Sequence, residues 1–389
     1  MKFETLAIRL QTSRTNEREH STALFPTSSF VFDDAEQMRA HFADEQEGNI
    51  YSRFTNPNAK ELEDKLAALE GTDDAIVTAS GMAAIFASFM ALLKSGDHLL
   101  ASRALFGSTH TILQQYLPNW GIEVTLVDPV DHVSWVKAVR PTTRMFFVET
   151  PSNPCLDIVD LAEAKTFCTA HNLILNVDNC FATPYLQQPS RWGADLITHS
   201  ATKYIDGQGR VLGGAVAGRK DLITEIRKFS RSTGPSLSPF NAWILSKSLE
   251  TLAIRMDRHC ENAEKLAAFL MNHPVCQNIR YPFLDSHPSC DVAKKQMKRG
   301  GGLVTFEIKG GILQGKKFLD GLEMLSLTAN LGDTRSIATH PASTTHAKLT
   351  PEARSASGIT DGLIRISAGL EHIDDIIQDI ERALTLSLK

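Results

Sequence analysis

The sequence predicts an α/β fold: a mostly parallel sheet with helices on both faces, followed by a smaller α+β unit. Two observations carry this. From Ala75 onward, short apolar runs that end in polar residues alternate with helical stretches, the pattern of parallel strands joined by crossover helices. Near residue 245 that rhythm stops, and a long helical stretch and a strictly alternating run replace it. The length of 389 residues leaves room for both units, on a prior of about 150 residues per domain. The hydrophobic share of 42% and charged share of 22% are those of an ordinary globular chain.

Taken in order, residues 1–57 are polar and irregular, carry the segment "YSRFTNPN", and read as an extended arm. A helix follows, with Leu62, Leu66 and Leu69 on one face. The strand series is "AIVTAS", "HLLAS", "IEVTLVD", "RMFFVET", "LILNVDN", "DLITHS" and "GGAVAG". The first feeds a helix after Ser80-Gly81, the second a helix after Gly107. Residues 58–244 form the α/β unit on this reading, and 245–389 the α+β unit. In the latter, "WILSKSLETLAIRMDRHCENAEKLAAFL" reads as one long helix. "GLVTFEIKGG" puts Val304, Phe306 and Ile308 on one strand face, and Ile373, Ile376, Ile377, Ile380 and Leu384 form a helical stripe.

Composition narrows the function. A net charge of −5 and a pI near 6.2 give no electrostatic case for a nucleic-acid or acidic-membrane partner. The six cysteines contain no C-x-x-C pair and read as reduced thiols of a cytoplasmic protein. The start "MKFETLAIRLQ" lacks the apolar core of a signal peptide. The longest apolar run, Met82 to Leu93, falls short of the roughly 20 residues that span a bilayer and reads as a buried helix. The expected partners are small molecules.

In an open α/β sheet, ligands bind beyond the carboxyl ends of the strands. The residues there are Ser80, Glu149, Asp178 with Asn179, and Ser200 with Lys203. "TASGMAAIF" opens a helix directly after a strand, which makes either a plain N-cap or an anion site. Hydroxyls from Ser200 and Thr202 add donors and favour a phosphate. Asp178 closes an apolar strand and needs a partner, either a neighbouring loop or a cation such as a protonated ring nitrogen. Lys203 follows an apolar strand and two small hydroxyl residues. Desolvated there, it becomes a nucleophile toward carbonyls. Arg365 lies in the strand-like "GLIRISAGLE" and calls for a carboxylate, the protein's own or a substrate's. A phosphate, a cationic ring nitrogen, a carbonyl and an amino-acid carboxylate are together satisfied by pyridoxal 5'-phosphate with an amino-acid substrate.

The segments "YSRFTNPN", "ALEGTDDAIVTASGMAAI", "ETPSNP", "VDNCFATP", "HSATKYIDGQGRVLGG", "HPASTTH" and "IRISAGLE" cover nearly the whole chain. On them it resembles the cystathionine γ-synthase, or Cys/Met metabolism, family of pyridoxal-phosphate enzymes of fold type I. "SRALFGST", "GPSLSPFNAW" and "NLGDTRS" are most similar to its O-succinylhomoserine sulfhydrylase branch. The resemblance implies that Lys203 holds the cofactor as a Schiff base and that Asp178 pairs with the pyridinium nitrogen. It implies that Gly81, Met82, Ser200 and Thr202 bind the phosphate, and that Tyr51 and Arg53 reach the phosphate of a neighbouring subunit in a homotetramer built as a dimer of dimers. Asn153 would contact the ring hydroxyl, and Arg365 with the backbone at Asn330 would receive the substrate carboxylate. Phe106 stands in "FGST" where many relatives have tyrosine. It can stack on the cofactor ring but has no phenol to move a proton.

The implied reaction is γ-replacement in methionine biosynthesis: a transferase acting on O-succinylhomoserine and sulfide to give homocysteine and succinate. Lys203 would shuttle protons and Asp178 would keep the ring nitrogen cationic. O-acetylhomoserine sulfhydrylase and cystathionine γ-synthase share the machinery. A cation in the pocket would favour a succinyl ester; Arg103 and Arg210 are candidates, each equally readable as structural. A metal-dependent hydrolase using His199, His340 and His346 is the rival of another class, although "HPASTTH" fits no standard zinc spacing. The glycines of "GQGRVLGG" lack the strand-to-helix setting of a dinucleotide fingerprint.

Overall fold

Seven apolar runs become seven strands of one sheet: β1 (Asp74–Thr78), β2 (His98–Ser102), β3 (Glu123–Val127), β4 (Thr143–Glu149), β5 (Ile174–Asp178), β6 (Leu196–Ser200) and β7 (Gly214–Gly218). The computed structural model describes residues 1–345, 347, 350, 351, 354 and 358–388. The strand order is β1-β7-β6-β5-β4-β2-β3. Strands β2 to β6 pair in parallel, whereas β7 runs antiparallel to both β1 and β6. "GGAVAG" is thus a reversed strand inside the sheet, reached by a loop that returns directly from Lys203 without a crossover helix. Alternate side chains serve opposite faces. Ala75 and Val77 enter the core beneath helices Pro57–Glu70 and Pro239–Leu249, while Ile76 enters the core beneath Gly81–Leu92 and Lys220–Thr233.

The register aligns the polar strand ends. Glu149 pairs with Asp178, Asp178 with Thr198, and Gly214 lies between Thr78 and Ser200. A second sheet, ordered β10-β11-β12-β9-β8, combines β8 (Cys276–Arg280), β9 (Leu303–Ile308), β10 (Ser326–Leu327), β11 (Ile337–Thr339) and β12 (Leu363–Ser367). Val304, Phe306 and Ile308 are buried there against Ile376, Ile380 and Leu384 of helix Ile373–Ser387, and Ile377 packs at the margin.

Two local expectations change. The first 57 residues include helices Phe3–Arg9 and Ala35–Phe42 rather than being irregular throughout. The first forms because Phe3, Leu6 and Ala7 pack on the main core, a tertiary contact that short sequence does not announce. The long helix after residue 239 is two, Pro239–Leu249 and Leu252–Met271. At the break the amides of Glu250 and Thr251 bond three residues back, to Lys247 and Ser248. The Arg255 guanidinium takes the Ser248 carbonyl at 2.9 Å and also holds the Tyr204 and Ile205 carbonyls just after Lys203. Through Arg255, the Ser248 carbonyl at the break is tied to the turn that follows Lys203. Among the described residues, no helix is long and apolar enough to cross a membrane.

Candidate active site

Lys203 leaves the carboxyl end of β6 in a tight turn, its amide bonded to the Ser200 carbonyl at 3.2 Å. Its Nζ donates to Asn330 Oδ1 at 2.7 Å. Burial lowers its pKa, and the Arg365 charge adds to that. The loop that carries Asn330 can come this close because residue 332 is glycine. It has φ of +73°, and a Cβ there would lie 2.7 Å from the Tyr204 nitrogen.

Asp178 is buried at the end of β5. Its Oδ1 accepts the Cys180 amide at 3.0 Å, and among the described residues no cation pairs with it. Burial pushes its pKa up to about 6 against the opposing pull of that amide and of His199. Beside it in register, Glu149 accepts the Phe106 amide on Oε2 at 3.0 Å. Burial and then the Asp178 charge raise the Glu149 carboxyl well above the usual range. The Phe106 ring remains 44% exposed, free to cover a ligand.

The helix start expected to cradle an anion meets β6 at Ser200. Ser80 caps helix Gly81–Leu92 by accepting the Ala83 amide at 3.1 Å. The amides of Gly81 and Met82, at the start of that helix, have no acceptor within it. A Cβ on Gly81 would lie 2.5 Å from the Ser200 Cβ, so only glycine lets the helix start meet β6. Thr202 uses its hydroxyl on the Gly213 carbonyl at 3.2 Å and accepts the Gly213 amide at 3.1 Å, which closes the loop around the cradle.

Arg365 is the second cation. It is buried, and its partners are neutral oxygens: Asn153 Oδ1 at 2.8 Å, the Asn330 carbonyl at 3.2 Å and Thr339 Oγ1 at 3.2 Å. Its Nε has no partner among the described residues. Burial pulls its pKa down to about 10. Asn330 touches both cations, Lys203 through its side chain and Arg365 through its carbonyl.

A family profile, Cys/Met metabolism PLP-dependent enzyme, matches residues 4–385. The chain is 48% identical to an O-succinylhomoserine sulfhydrylase of Pseudomonas aeruginosa over 382 residues, 98% of this chain and 95% of that protein. The chain belongs to the Cys/Met metabolism PLP-dependent enzyme family. An L-methionine gamma-lyase of Fusobacterium nucleatum is 45% identical, covering 93% of this chain and 92% of its own. A solved structure named as an O-acetylhomoserine (thiol)-lyase of Campylobacter jejuni has a TM-score of 0.95 at 36% identity, over 99% of this chain and all of that one, and it carries a pyridoxyl-lysine monophosphate.

Pyridoxal phosphate, the cofactor of the Cys/Met metabolism family, fits the residues present. A desolvated amine, a buried acid without a cation, a glycine-lined helix start beside Ser200, and an exposed aromatic ring at a sheet edge are the four features it requires. Lys203, Asn330, Arg365 and Asn153 form one continuous hydrogen-bonded chain. Tyr51 and Arg53 make their contacts elsewhere in the chain. Tyr51 bridges to Ser29, and Arg53 donates to the Arg231 carbonyl and lies over the Phe54 ring. Arg210 is clasped by Asp206 at 2.9 Å, and Arg103 pairs with Asp128 at 2.6 Å on the surface; both are committed to the protein's own carboxylates. His199 bonds Glu70, and His340 bonds the Asp361 carbonyl and Ser343; His346 lies outside the described residues.

Thr339 was not legible as a site residue, because its place depends on β11 lying antiparallel to β12, opposite Arg365. Glu149 shows itself in the sequence only as a polar residue closing an apolar run; its bond to Phe106 spans 43 residues.

Proposed function

We propose that this chain catalyses pyridoxal-phosphate-dependent γ-replacement on O-succinylhomoserine, with sulfide entering, homocysteine formed and succinate leaving. The observation that carries this is Arg365, a buried guanidinium whose hydrogen-bond acceptors among the described residues are all neutral oxygens, joined to Lys203 through Asn330. Among the described residues no carboxylate is hydrogen-bonded to this buried cation, and an α-amino acid brings one.

When bound, the cofactor supplies an electron sink for cleavage at carbons next to an amine. The rest is done by the chain's own groups. Asp178, ionised opposite a ring cation, keeps that cation protonated. Gly81, Met82, Ser200 and Thr202 hold the phosphate, and Asn153 contacts the ring hydroxyl. Arg365 orients the substrate by its carboxylate, which directs the α- and β-carbons toward Lys203. With its pKa lowered by burial, more of the Lys203 amine is unprotonated near neutral pH than of a solvated lysine, which leaves it free to accept a proton from those carbons. Phe106 packs on the ring and offers no proton, so Lys203 carries the proton traffic alone.

The succinyl preference is supported by the likeness to a named O-succinylhomoserine sulfhydrylase. We further propose a cytoplasmic homotetramer with units 1–57, 58–244 and 245–389, in which Tyr51 and Arg53 reach a neighbour's phosphate; the 43% exposed Tyr51 ring is available for this. A competition assay tests the reaction: acetyl- against succinyl-homoserine, with sulfide against cysteine. Homocysteine from the succinyl ester and sulfide is the expected main product. Dominant cystathionine, or a preference for the acetyl ester, sinks the assignment while leaving the family intact.

A further inference from the structure

The residues proposed to grip the cofactor on β5 and β6 must hold a fixed spacing, and one buried carboxylate ties the two strands together from behind. Glu70 ends helix Pro57–Glu70 and is fully buried. Its Oε1 accepts from His199 Nε2 at 2.6 Å and from Asn179 Nδ2 at 2.9 Å. Asn179 directly follows Asp178, and His199 directly precedes Ser200. One oxygen therefore bridges the strands a single residue away from the ring-nitrogen partner and a single residue away from the phosphate donor. Asn179 is braced again by Gln187, which it bonds at 2.9 and 3.0 Å, and Gln187 reaches the Thr150 carbonyl beside Glu149 at 2.9 Å.

The placement of Glu70 is unfavourable on its own. A carboxylate at a helix C-terminus opposes the helix dipole, and burial removes its water. Its Oε2 and His199 Nδ1 are buried without partners among the described residues. Among the described residues the two bonds on Oε1 are what offset that cost, and both lead to the strand ends proposed to hold the cofactor.

We propose that Glu70 is a positioning residue for pyridoxal phosphate. Through the shared Oε1 it sets the spacing of Asp178 from Ser200 and Lys203, and so the affinity and asymmetry of the bound cofactor. This rests on the roles proposed above for those three residues. The alternative is a fold-stabilising network with no bearing on the cofactor.

The test titrates apoenzyme with pyridoxal 5'-phosphate and records the dissociation constant, the visible circular dichroism of the bound cofactor and the far-ultraviolet spectrum. Glu70→Gln keeps the accepting oxygen and should bind within about threefold of wild type, whereas Glu70→Leu loses both bonds and should bind about tenfold or more weakly with a diminished visible signal. Asn179→Asp sets two carboxylates against each other and should also weaken binding. Adding Glu70→Gln to it supplies an amide donor and should recover a measurable part of that loss. A folded Glu70→Leu protein with wild-type affinity and visible signal overturns the proposal. So does an Asn179→Asp defect that Glu70→Gln does not relieve, and this pair decides the matter if Glu70→Leu does not fold. Wild-type protein that binds no cofactor overturns instead the reading on which the proposal stands.

Discussion

Lys203, half-buried, and Arg365, buried, are two cations that share one asparagine, and each makes a separate prediction. Reduction of the holoenzyme with borohydride should leave a pyridoxyl group on the peptide containing Lys203, detectable by mass. In Lys203→Ala that adduct should be absent. Arg365→Ala should raise the substrate KM by about 10- to 100-fold, the loss of a charge-assisted carboxylate pair, with a smaller effect on kcat. A steady-state assay that finds KM unchanged removes Arg365 from the substrate site. Asp178 gives a pH dependence. Folding raises its pKa to about 6, from about 3.9 in an unfolded chain. The protonated form is therefore favoured in the fold; its stabilising contribution is full below about pH 4 and is lost as pH rises through about 6. Apoprotein carrying Asp178→Asn should exceed wild-type apoprotein in stability by about 3 kcal/mol at pH 8, and the gap should close near pH 4 in urea titrations. At this scale the sequence showed residue types at strand ends. It showed Glu149 as one of these, but neither its bond from the Phe106 amide nor Thr339 opposite Arg365, because such partners come from distant segments.

At the scale of elements, the helix Gly81–Leu92 and strand β6 meet at a point with no room for a side chain. Gly81→Ala should cost about 1–3 kcal/mol through overpacking, read as a lower urea midpoint at constant slope. Cofactor affinity should fall with it, because the same residue opens the anion cradle. Strands were legible because parallel strands buried on both faces appear as short continuous apolar runs. The direction of β7 was not, since an apolar run carries no sign of which way it pairs. The division of the long helix near Thr251 was hidden for a related reason. Local periodicity continues through the break, where Arg255 bonds the Ser248 carbonyl together with two carbonyls of the turn after Lys203.

For the whole molecule, the arm is the open question of geometry, and subunit mixing addresses it. Glu61 anchors the arm by accepting Thr12 and Thr22 at 2.9 and 2.6 Å, and among the described residues no contact brings Arg53 to Lys203. If Arg53 serves a neighbour, Lys203→Ala and Arg53→Ala proteins, each inactive alone, should regain activity when refolded together. The ceiling is about a quarter of wild type, the fraction of sites assembled from two intact contributions in a random mixture. No recovery in demonstrably mixed oligomers would place Arg53 in its own subunit's chemistry or outside it.

The sequence by itself determined the α/β architecture, the set of polar residues at the strand ends, and the demand for a phosphate, a carbonyl and a carboxylate, because periodicity and strand-end chemistry are local properties. The tertiary structure alone decided which of those residues share a partner. Asn330 lies 127 residues from Lys203, and Glu70 lies 109 from Asn179. Contacts of that separation are fixed by register and helix packing, which no local pattern encodes.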